Sequence, residues 1–520
     1  MSLLTHGSHI PDDRANKTRC VMTPFEGRFP FGYLFPKLHR DPANLLAAKR
    51  NETVAMLKRL GVAMGDNPNP DGNSRLPAAY TYFGQFVDHD LTANTDRNEK
   101  TNDITSPDIM PLPADYVRTN LENLRKPFLE LDSVYGEGRN FGGPPTRSEV
   151  FFDGPKFKLG TNADVPGIPG VKIPPEDDLA RDLPRRNDRV PLIGDTRNDE
   201  NTIISQLHVA FLRFHNALVD HLAKGGMRGD KELFEEARRL ARLHYQHIVL
   251  HDFLPRIADP DVARDVTGNG PSFYRPDPGR PFMPLEFSVA AYRFGHSMVR
   301  NLYDYNRNFP GTDRDSGATF EQLFQFTGRG GFFGLPTLPF NWIIEWDRLI
   351  GEKDGRPVQS ARKIDTRLAK DLFKMVNETK GDANIDPDAI FLMQHLAIRN
   401  LLRGFLLSIP TGQALAQAMN LKPLGEAELL QDAAPGVEQA LREGRFLQRT
   451  PAWFYILKEA EVRAGGEHLG PVASRIVAEV FVGLLRADPD SILNTRFSPD
   501  KNGVGVKTLS DLLRFARVMA

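Results

Sequence analysis

The stretch YTYFGQFVDHDLT, residues 80–92, places one histidine between two aspartates inside an otherwise aromatic and apolar segment. If the stretch is helical, each residue turns about 100° around the axis. Gln85, Asp88 and His89 then share one wedge that could line a pocket, while Asp90 points elsewhere and could face a cation. The alternative is that the aspartates solvate the helix and His89 is an ordinary core histidine.

A second motif, GDTRNDEN, combines a helix start with an arginine and a glutamate. Asp195 or Thr196 is a good N-cap, so the sequence predicts that a helix begins here. That helix would place Arg197 and Glu200 three residues apart on one face. By itself this pattern predicts an ordinary exposed ion pair, which contributes about 0.3–0.5 kcal/mol.

Two further motifs place polar side chains on apolar helices. In FSVAAYRFGHSMVRNLYDYN, His296 follows Arg293 by about one turn, and Gly295 permits a bulky planar group to approach the backbone. In LAIRNLLRGFLLSIPTGQ, Asn400 and Arg403 lie three apart on one helix face. An asparagine inside an apolar helix tends to have a specific partner, which could be the second nitrogen of a metal-binding imidazole. A lone histidine on such a helix is otherwise usually structural.

A competing cluster is HYQHIVLH, which places His244, His247 and His251 at helical spacing. Three imidazoles on one helix face could hold zinc or iron, so a zinc hydrolase is one alternative function. No clear fourth ligand or general base accompanies the cluster. A helix face with partly buried histidines is therefore the simpler interpretation.

Helices must position these residues, because apolar side chains recur every three or four positions wherever the pattern is clear. The helix that contains the three-histidine cluster is predicted to stop at Pro255. Strand-like alternation is scarce, and long stretches rich in proline and glycine separate the helical segments. We expect helices over 78–92, 202–222, 231–255, 290–302, 388–407, 471–485 and 509–518.

Composition limits the class of protein. The chain has 520 residues, a formal net charge of −1 and 40% hydrophobic residues. Without a basic stripe we expect no nucleic-acid partner, and without an apolar run of roughly 20 residues we expect no transmembrane segment. The single cysteine, Cys20, excludes an internal disulfide. No basic segment followed by an apolar core stands at the N-terminus, so we expect a cytoplasmic or non-classically secreted protein, as in bacteria.

With the four motifs in this order, the sequence resembles the heme peroxidases of the peroxidase–cyclooxygenase superfamily, the animal-type group that contains myeloperoxidase and lactoperoxidase. The resemblance runs from the segment near residue 80 to LGPVASRIVAEVFVGLL near residue 485. It implies a mainly α fold, with a helical core around a buried heme b, long loops and little β-structure. It also implies one catalytic domain at 76–520, with residues 1–75 as an N-terminal extension packed on the core.

The resemblance implies roles for the motif residues. His89 matches the acid–base catalyst of the family, with Gln85 as its pocket neighbour, and Arg197 matches the distal arginine. His296 matches the ligand of the heme iron, and Asn400 matches the asparagine hydrogen-bonded to that ligand. The other implied heme contacts are Asp88 and Glu200, which match residues that form esters with heme methyl groups, and Arg293 and Arg403, which could pair with a propionate.

The resemblance also implies a calcium site next to the distal histidine. Asp90 matches one ligand, and the others come from a loop that aligns with KPFLELDSVYG. In that loop Lys126 replaces a threonine and can offer only its backbone carbonyl. Glu130, Asp132 and the Phe128 carbonyl keep enough oxygen atoms for calcium.

The implied function is a peroxidase that uses hydrogen peroxide to oxidise halide, thiocyanate or small phenolic donors. One alternative is a fatty-acid dioxygenase on the same fold, which needs a tyrosine three residues before the proximal histidine. Arg293 stands there, and Tyr292 would point about 100° away on a helix. A peroxidase-like adhesion or binding module is another alternative. Asn201 stands where myeloperoxidase has a methionine after its ester glutamate, so no sulfonium link to heme is expected.

Overall fold

α-Helices form most of the secondary structure in the computed structural model of the chain. The structure describes residues 29–48, 52–65, 72–93, 104, 109–165, 178–311, 316–351, 358–375 and 387–519. Cys20 therefore lies outside the described residues. The α-helices are Glu52–Ala63, Ala79–Leu91, Ala114–Asn120, Asp132–Tyr135, Thr202–Lys224, Asp230–Ile248, Leu254–Ile257, Pro260–Asn269, Phe320–Gln325, Pro387–Gln394, Leu396–Leu406, Gly412–Ala418, Glu426–Leu430, Pro435–Glu443, Ala452–Ala464, Pro471–Ala487 and Leu509–Phe515.

Short 3₁₀ helices, π-helical turns and strands connect the α-helices. The 3₁₀ helices are Pro36–Arg40, Pro42–Asn44, Arg147–Phe151, Thr196–Asp199, Ala291–Met298, Phe332–Gly334, Phe340–Trp342, Trp346–Arg348 and Lys370–Phe373, and the π-helical turns are Val249–Phe253 and Glu286–Ala290. The strands are Phe29–Gly32, Asn73–Pro77, Glu122–Asn123, Phe152–Asp153, Lys156–Phe157, Met283–Pro284, Leu302–Tyr303, Ala318–Thr319 and Ser360–Arg362. The prediction of a mainly α fold with long loops and little β-structure is confirmed.

The strands pair into small sheets that tie distant segments together. Phe29–Gly32 pairs antiparallel with Glu122–Asn123 and parallel with Met283–Pro284. Asn73–Pro77 pairs antiparallel with Ser360–Arg362. The division of the chain into residues 1–75 and 76–520 stays a prediction.

The helix that was predicted to stop at Pro255 continues past it. The α-helix gives way to the π-helical turn Val249–Phe253, and Pro255 lies in the first turn of the next helix, Leu254–Ile257. Proline is tolerated in the first turn because its missing N–H has no helical partner there. The chain therefore stays helical through Pro255, because the π-helical turn places the proline at the start of the next α-helix.

The single helix predicted over 388–407 is two helices in the structure. His395 separates them, with φ of −100° and ψ of 92°. Its ring packs edge-on between Phe373 and Phe391, at centroid distances of 4.8 and 4.6 Å. This packing selects a non-helical conformation that the apolar periodicity does not reveal.

The α-helix predicted over 290–302 is also wrong. A π-helical turn ends at Ala290, the 3₁₀ helix Ala291–Met298 follows, and no α-helical turn is formed. In an α-helix the Arg293 carbonyl would accept from the backbone four residues later. Here it accepts instead from the indole Nε1 of Trp453 at 3.1 Å.

Four elements position the candidate site and keep these names below. They are the His89 helix (Ala79–Leu91), the long helix (Thr202–Lys224), the His296 segment (Ala291–Met298) and the Asn400 helix (Leu396–Leu406). The His89 helix packs on the long helix and on the His296 segment, and the Asn400 helix packs on the π-helical turn before that segment. A continuous cluster of buried apolar side chains surrounds them. Within the described ranges no helix is long and apolar enough to cross a membrane.

Candidate active site

A cavity of about 70 Å³ lies between the His89 helix and the His296 segment. Residues that are some 200 positions apart in the sequence meet across it. The predicted site residues that line it are Gln85, Asp88, His89, Arg293 and His296. The cavity is therefore the place where the first and third sequence motifs come together.

His89 is fully buried and is held through one ring nitrogen. Its Nδ1 lies 2.8 Å from the amide oxygen of Asn198. Because an amide oxygen only accepts, Nδ1 carries the ring proton and Nε2 keeps its lone pair. Nε2 has no hydrogen-bond partner among the described residues. Burial, with the nearby charge of Arg197, lowers the pKa of His89 to about 4, so the ring is neutral near pH 7 and can act as a base.

Arg197 is buried rather than exposed, which corrects the predicted surface ion pair with Glu200. Its Nε and Nη2 donate to the Asp195 carboxylate, the shortest contact being 2.7 Å. Nη2 also donates to the backbone carbonyls of His89 and Thr92, at 3.0 and 2.8 Å. Nη1 is buried and has no hydrogen-bond partner in the described part of the chain. One donor of a rigidly held guanidinium is thus left for a ligand.

On the other side of the cavity, the 3₁₀ geometry of the His296 segment aligns two side chains. A 3₁₀ helix has three residues per turn, so Arg293 and His296 lie on the same face. Both reach Asn400 on the Asn400 helix. Arg293 Nη1 donates to the amide oxygen of Asn400 at 2.7 Å, and the amide nitrogen lies 2.8 Å from His296 Nδ1.

The orientation of the Asn400 amide determines which nitrogen of His296 carries the ring proton. Because Arg293 occupies the amide oxygen, the amide N–H donates to Nδ1, and a neutral ring keeps its proton on Nε2. A metal at Nε2 requires that nitrogen to be unprotonated. A half-turn of the amide would present its oxygen to Nδ1 and would break the hydrogen bond to Arg293.

Two buried polar atoms on the His89 side and an open stretch of backbone beside His296 are left for a bound group. His89 Nε2 and Arg197 Nη1 are buried polar atoms that no described protein group satisfies. A Cβ added at Gly295 would meet no atom within 4 Å, so the backbone beside His296 faces open space. These features are consistent with the sequence argument that Gly295 lets a planar group approach.

Positive charge collects on the His296 side of the cavity. Burial lowers the pKa of Arg293 to about 10; Asp88 opposes this effect, and the charges of Arg403 and Arg399 add to it. Arg403 is buried on the Asn400 helix, as is Arg399. An acidic group bound nearby would offset this mutual repulsion.

Of the other residues predicted for the heme pocket, Asp88 and Gln85 line the cavity, whereas Glu200 does not. Asp88 Oδ1 accepts a hydrogen bond from the Thr92 hydroxyl at 3.0 Å. Gln85 Oε1 accepts from the Asn201 amide at 3.2 Å, so Asn201 holds the side chain that the resemblance makes a pocket neighbour. Glu200 follows the 3₁₀ helix Thr196–Asp199 directly.

The loop predicted to bind calcium contains two buried carboxylates. Asp90 and Asp132 are 0% and 2% exposed. Burial raises the pKa of both groups, and the charge of Asp90 adds to this effect at Asp132. The backbone N–H groups of Leu131 and Ser133 donate to Asp90, whereas Asp132 Oδ1 has no hydrogen-bond partner among the described residues. A cation beside this oxygen would satisfy it.

The rest of the predicted calcium ligands fit less closely. Lys126 Nζ pairs with Glu130 Oε1 at 2.7 Å, so the lysine that replaces the threonine also engages a predicted ligand. In the described ranges, no group of three or more histidine, cysteine, aspartate or glutamate side chains could hold a metal ion. Calcium would therefore depend on the carbonyls of Lys126 and Phe128 as well as on the two aspartates.

The three-histidine cluster does not form a metal site. His244 Nδ1 lies 2.7 Å from the Val506 carbonyl, and its Nε2 accepts from the Val504 N–H at 3.1 Å. Both ring nitrogens are thus occupied by the backbone. The His247 and His251 rings contact each other at 4.6 Å, which leaves two imidazoles without a third ligand.

Sequence reasoning missed several residues that hold the distal groups in place. Asn198 bridges His89 to His208, and Arg125 Nη2 donates to the Asp195 carboxylate at 2.6 Å. Asp195 was recognised only as an N-cap. The available signal was the run of polar residues directly after the arginine in GDTRNDEN, which is unusual for a segment that becomes fully buried.

Comparisons with known proteins support the family that the motifs indicate. The family model described as "Animal haem peroxidase" matches residues 156–327. A peroxidase-like protein of Margaritifera margaritifera is 28% identical over 259 residues, which are 43% of this chain and 32% of that protein. Human eosinophil peroxidase is 29% identical over 217 residues, which are 38% of this chain and 30% of that protein. The chain thus spans about a third of the length of these curated relatives.

Solved structures share the fold over nearly the whole chain. Peroxidase A from Dictyostelium discoideum superposes with a TM-score of 0.60 at 16% identity, covering 100% of this chain and 98% of that one. The fatty acid alpha-dioxygenase of Arabidopsis thaliana gives 0.56 at 16% identity, covering 93% and 76%. The chain has the fold of the animal-type heme peroxidases, and its residues 156–327 are similar to that family.

Proposed function

We propose that this protein is a heme-dependent peroxidase that uses hydrogen peroxide to oxidise small donors, either halide and thiocyanate ions or phenols. The observation that carries the proposal is the buried Nε2 of His89, which has no hydrogen-bond partner among the described residues and lies across a cavity from His296. The matching family model and the peroxidase relatives support the same class of enzyme.

In this proposal the chain supplies proton transfer and charge stabilisation. His89 Nε2 takes a proton from hydrogen peroxide, and the same ring returns it to the leaving oxygen. Such positioned proton transfer typically contributes about 10²–10⁴-fold to a rate. Arg197 Nη1 donates to the oxygen on which negative charge develops. Gln85 lies beside His89 on the cavity wall.

Heme b held by His296 would supply the redox chemistry that no side chain can. Asn400 orients the His296 ring, and Arg293 and Arg403 offer positive charge to the acidic groups of the cofactor. Asp88 and Glu200 are the residues we propose for ester links to it. For calcium we propose Asp90 and Asp132 together with the loop positions Lys126, Phe128 and Glu130.

The deciding experiment is the absorption spectrum of the heme-reconstituted protein before and after one equivalent of hydrogen peroxide, followed by bromide. A Soret band that changes with peroxide and recovers with bromide supports a peroxidase able to oxidise halide. A change without recovery supports a peroxidase with another donor, which phenols would then test. A protein that forms no Soret band, or whose band ignores peroxide, contradicts the proposal and favours a binding module.

A fatty-acid dioxygenase is the second candidate. The observation that favours it is Tyr292, which lines the cavity and whose buried hydroxyl has no hydrogen-bond partner among the described residues. The sequence argument that Tyr292 points away from the site is therefore wrong. Arg293 still occupies the position three before His296. Oxygen consumption with linoleate in an oxygen electrode would support the dioxygenase, and its absence would leave the peroxidase.

Calcium binding is tested by thermal unfolding with calcium or with a chelator. A ligand present at 100 times its dissociation constant stabilises the folded state by about 2.7 kcal/mol. We expect calcium to raise the unfolding temperature of the native chain but not of Asp132→Asn. Equal curves for the native chain with and without calcium would contradict the site.

A further inference from the structure

We propose that Asn198, supported by His208, is a positioning residue that fixes the tautomer of His89 and so keeps Nε2 available as a base. The inference rests on the proposed peroxidase function and names a part of that site which the sequence motifs do not assign. It concerns residues behind the catalytic histidine, away from any bound substrate.

The Asn198 side chain lies between two imidazoles. Its amide oxygen is 2.8 Å from His89 Nδ1, and its amide nitrogen is 2.9 Å from His208 Nδ1. An amide has one accepting end and one donating end, so the row of hydrogen bonds has a direction. His89 donates to Asn198, and Asn198 donates to His208. The row therefore requires a proton on His89 Nδ1 and a lone pair on His208 Nδ1.

All three side chains are buried, with exposures of 0%. Burial lowers the pKa of His208 to about 3, so this ring stays neutral and can present a lone pair to the amide. Water has no access to compete for these groups. The direction of the row is then set by the protein alone.

Each member of the row is held by a different element. Asn198 lies in the 3₁₀ helix Thr196–Asp199, whose N-cap Asp195 accepts the Asn198 backbone N–H through its carbonyl at 3.0 Å. His208 lies on the long helix, and His89 lies on the helix that bears its name. Neither Asn198 nor His208 lines the cavity. Changes at these two positions therefore act on the reaction indirectly, and the hydrogen bond from His89 to Asn198 is the direct connection.

The reverse arrangement makes the proposal testable. If the amide were turned by half a turn, its N–H would face His89 Nδ1, and the His89 proton would move to Nε2. His208 would then donate from its own Nδ1. The two arrangements contain the same number of hydrogen bonds, so removing the acceptor at residue 208 removes one of the two partners that hold the Asn198 amide in the observed orientation. A histidine base held in the wrong tautomer loses most of its contribution to catalysis.

The first measurement is the tautomer itself. The full chain with ¹³C,¹⁵N-labelled histidine is reconstituted with zinc protoporphyrin, which is diamagnetic, and studied by solid-state NMR. The signals missing from His89→Gln identify His89, and correlation to Cγ identifies Nδ1. We expect His89 to be protonated on Nδ1 and His208 on Nε2. Protonation of His89 on Nε2 would overturn the proposal, whereas the peroxide-dependent Soret change of the native protein tests the peroxidase assignment separately.

The second measurement compares two substitutions at residue 208. His208→Gln offers a side-chain oxygen that can accept from Asn198, whereas His208→Leu removes the acceptor. With heme bound and at pH 8, we expect His208→Leu and Asn198→Leu to slow the peroxide-dependent Soret change at least about tenfold. We expect His208→Gln to stay within about threefold of the native rate.

Heme content and Soret position before peroxide is added show whether each variant folds and binds the cofactor. Equal rates in His208→Leu and His208→Gln would overturn the positioning role. A native protein that does not react with peroxide would instead contradict the proposed function. The two failures are therefore distinguishable.

Discussion

The two sides of the cavity use the same device in opposite orientations. His89 and His296 are each held through Nδ1 by an asparagine amide at 2.8 Å. The oxygen of Asn198 faces His89, whereas the nitrogen of Asn400 faces His296. The His89 ring therefore keeps a lone pair on Nε2. The His296 ring keeps a proton on Nε2 unless the Asn400 amide turns.

The two amides have opposite orientations because each is also hydrogen-bonded to a second side chain. On the distal side, that side chain is the neutral ring of His208, which can accept. On the proximal side, it is the cationic Arg293, which can only donate and therefore takes the oxygen. The residue behind an asparagine thus determines the chemistry of the histidine in front of it. If His296 binds a metal through Nε2 as proposed, the Asn400 amide must turn and lose its hydrogen bond to Arg293.

The largest expected effect separates the two histidines by cofactor binding. We expect His296→Ala to lose ordered heme binding and its Soret band, because the metal ligand is gone. His247→Ala, a half-buried histidine on another helix, is the control and should bind heme normally. Heme titration followed by absorption measures both. Normal heme binding by His296→Ala would show that the proximal and distal assignments are reversed or wrong.

The next effect separates the histidines by reactivity. We expect His89→Ala to bind heme but to react with hydrogen peroxide about 10²–10⁴-fold more slowly, since the base is lost and the cofactor ligand is not. Stopped-flow absorption at the Soret band gives the rate constant. A rate equal to that of the native protein would remove His89 from the mechanism.

The two arginines provide a matched comparison of smaller size. Arg197→Leu should slow the same reaction by about 10²–10³-fold, because a charge-stabilising donor is lost. Arg293→Leu should change that rate less than about tenfold, because Arg293 acts on Asn400 and not on peroxide. Heme content is measured for both variants. Equal losses of rate in the two variants would mean that Arg293 also contributes to the reaction with hydrogen peroxide on the His89 side.

The smallest effect concerns the anchoring of the proximal side. Glu286, in the π-helical turn before the His296 segment, accepts from the backbone N–H groups of Leu34 and Phe35. Burial raises its pKa to about 7. A pKa above the unfolded value means that stability is lost as pH rises from about 4.5 through 7, by on the order of 3 kcal/mol.

Glu286→Gln should therefore remove the part of this decline that Glu286 contributes and leave the part from Glu459, whose pKa burial also raises to about 7. Urea unfolding at pH 5 and pH 8 would measure the difference. An equal pH dependence in the native and variant proteins would contradict the shift. The distal side behaves in the opposite sense, since the lowered pKa of His89 makes stability fall as pH drops below about 6.5. The pH dependence of unfolding should thus carry one contribution from each side of the cavity.

The sequence predicted the helices of the distal side well and the proximal side poorly. The periodicity of the His89 helix and of the long helix reflects their own buried faces, which a short window of sequence contains. In the His296 segment, the Arg293 carbonyl accepts a hydrogen bond from Trp453, some 160 residues away. No local pattern can report such a partner.

The same limit applies to the site residues, because the sequence identified only those that a local pattern reports. Motif residues such as His89 and Asn400 stood out because polar groups interrupt apolar helices. The pattern alone predicted an exposed ion pair because Arg197 and Glu200 stand three residues apart. The observed partner of Arg197 is Asp195, and the second cation on that carboxylate, Arg125, comes from a distant loop. Burial is a property of the folded chain, so the sequence alone could not separate a surface ion pair from a buried one.

The hydrogen bond from Trp453 to the Arg293 carbonyl has a consequence for how the protein is made. During synthesis, the distal residues and His296 leave the ribosome long before Trp453 and Asn400 do. The proximal histidine cannot take its final geometry until most of the chain has emerged. On the proposed function, we therefore expect heme capture late in biogenesis, and chains truncated before residue 453 should accumulate without cofactor.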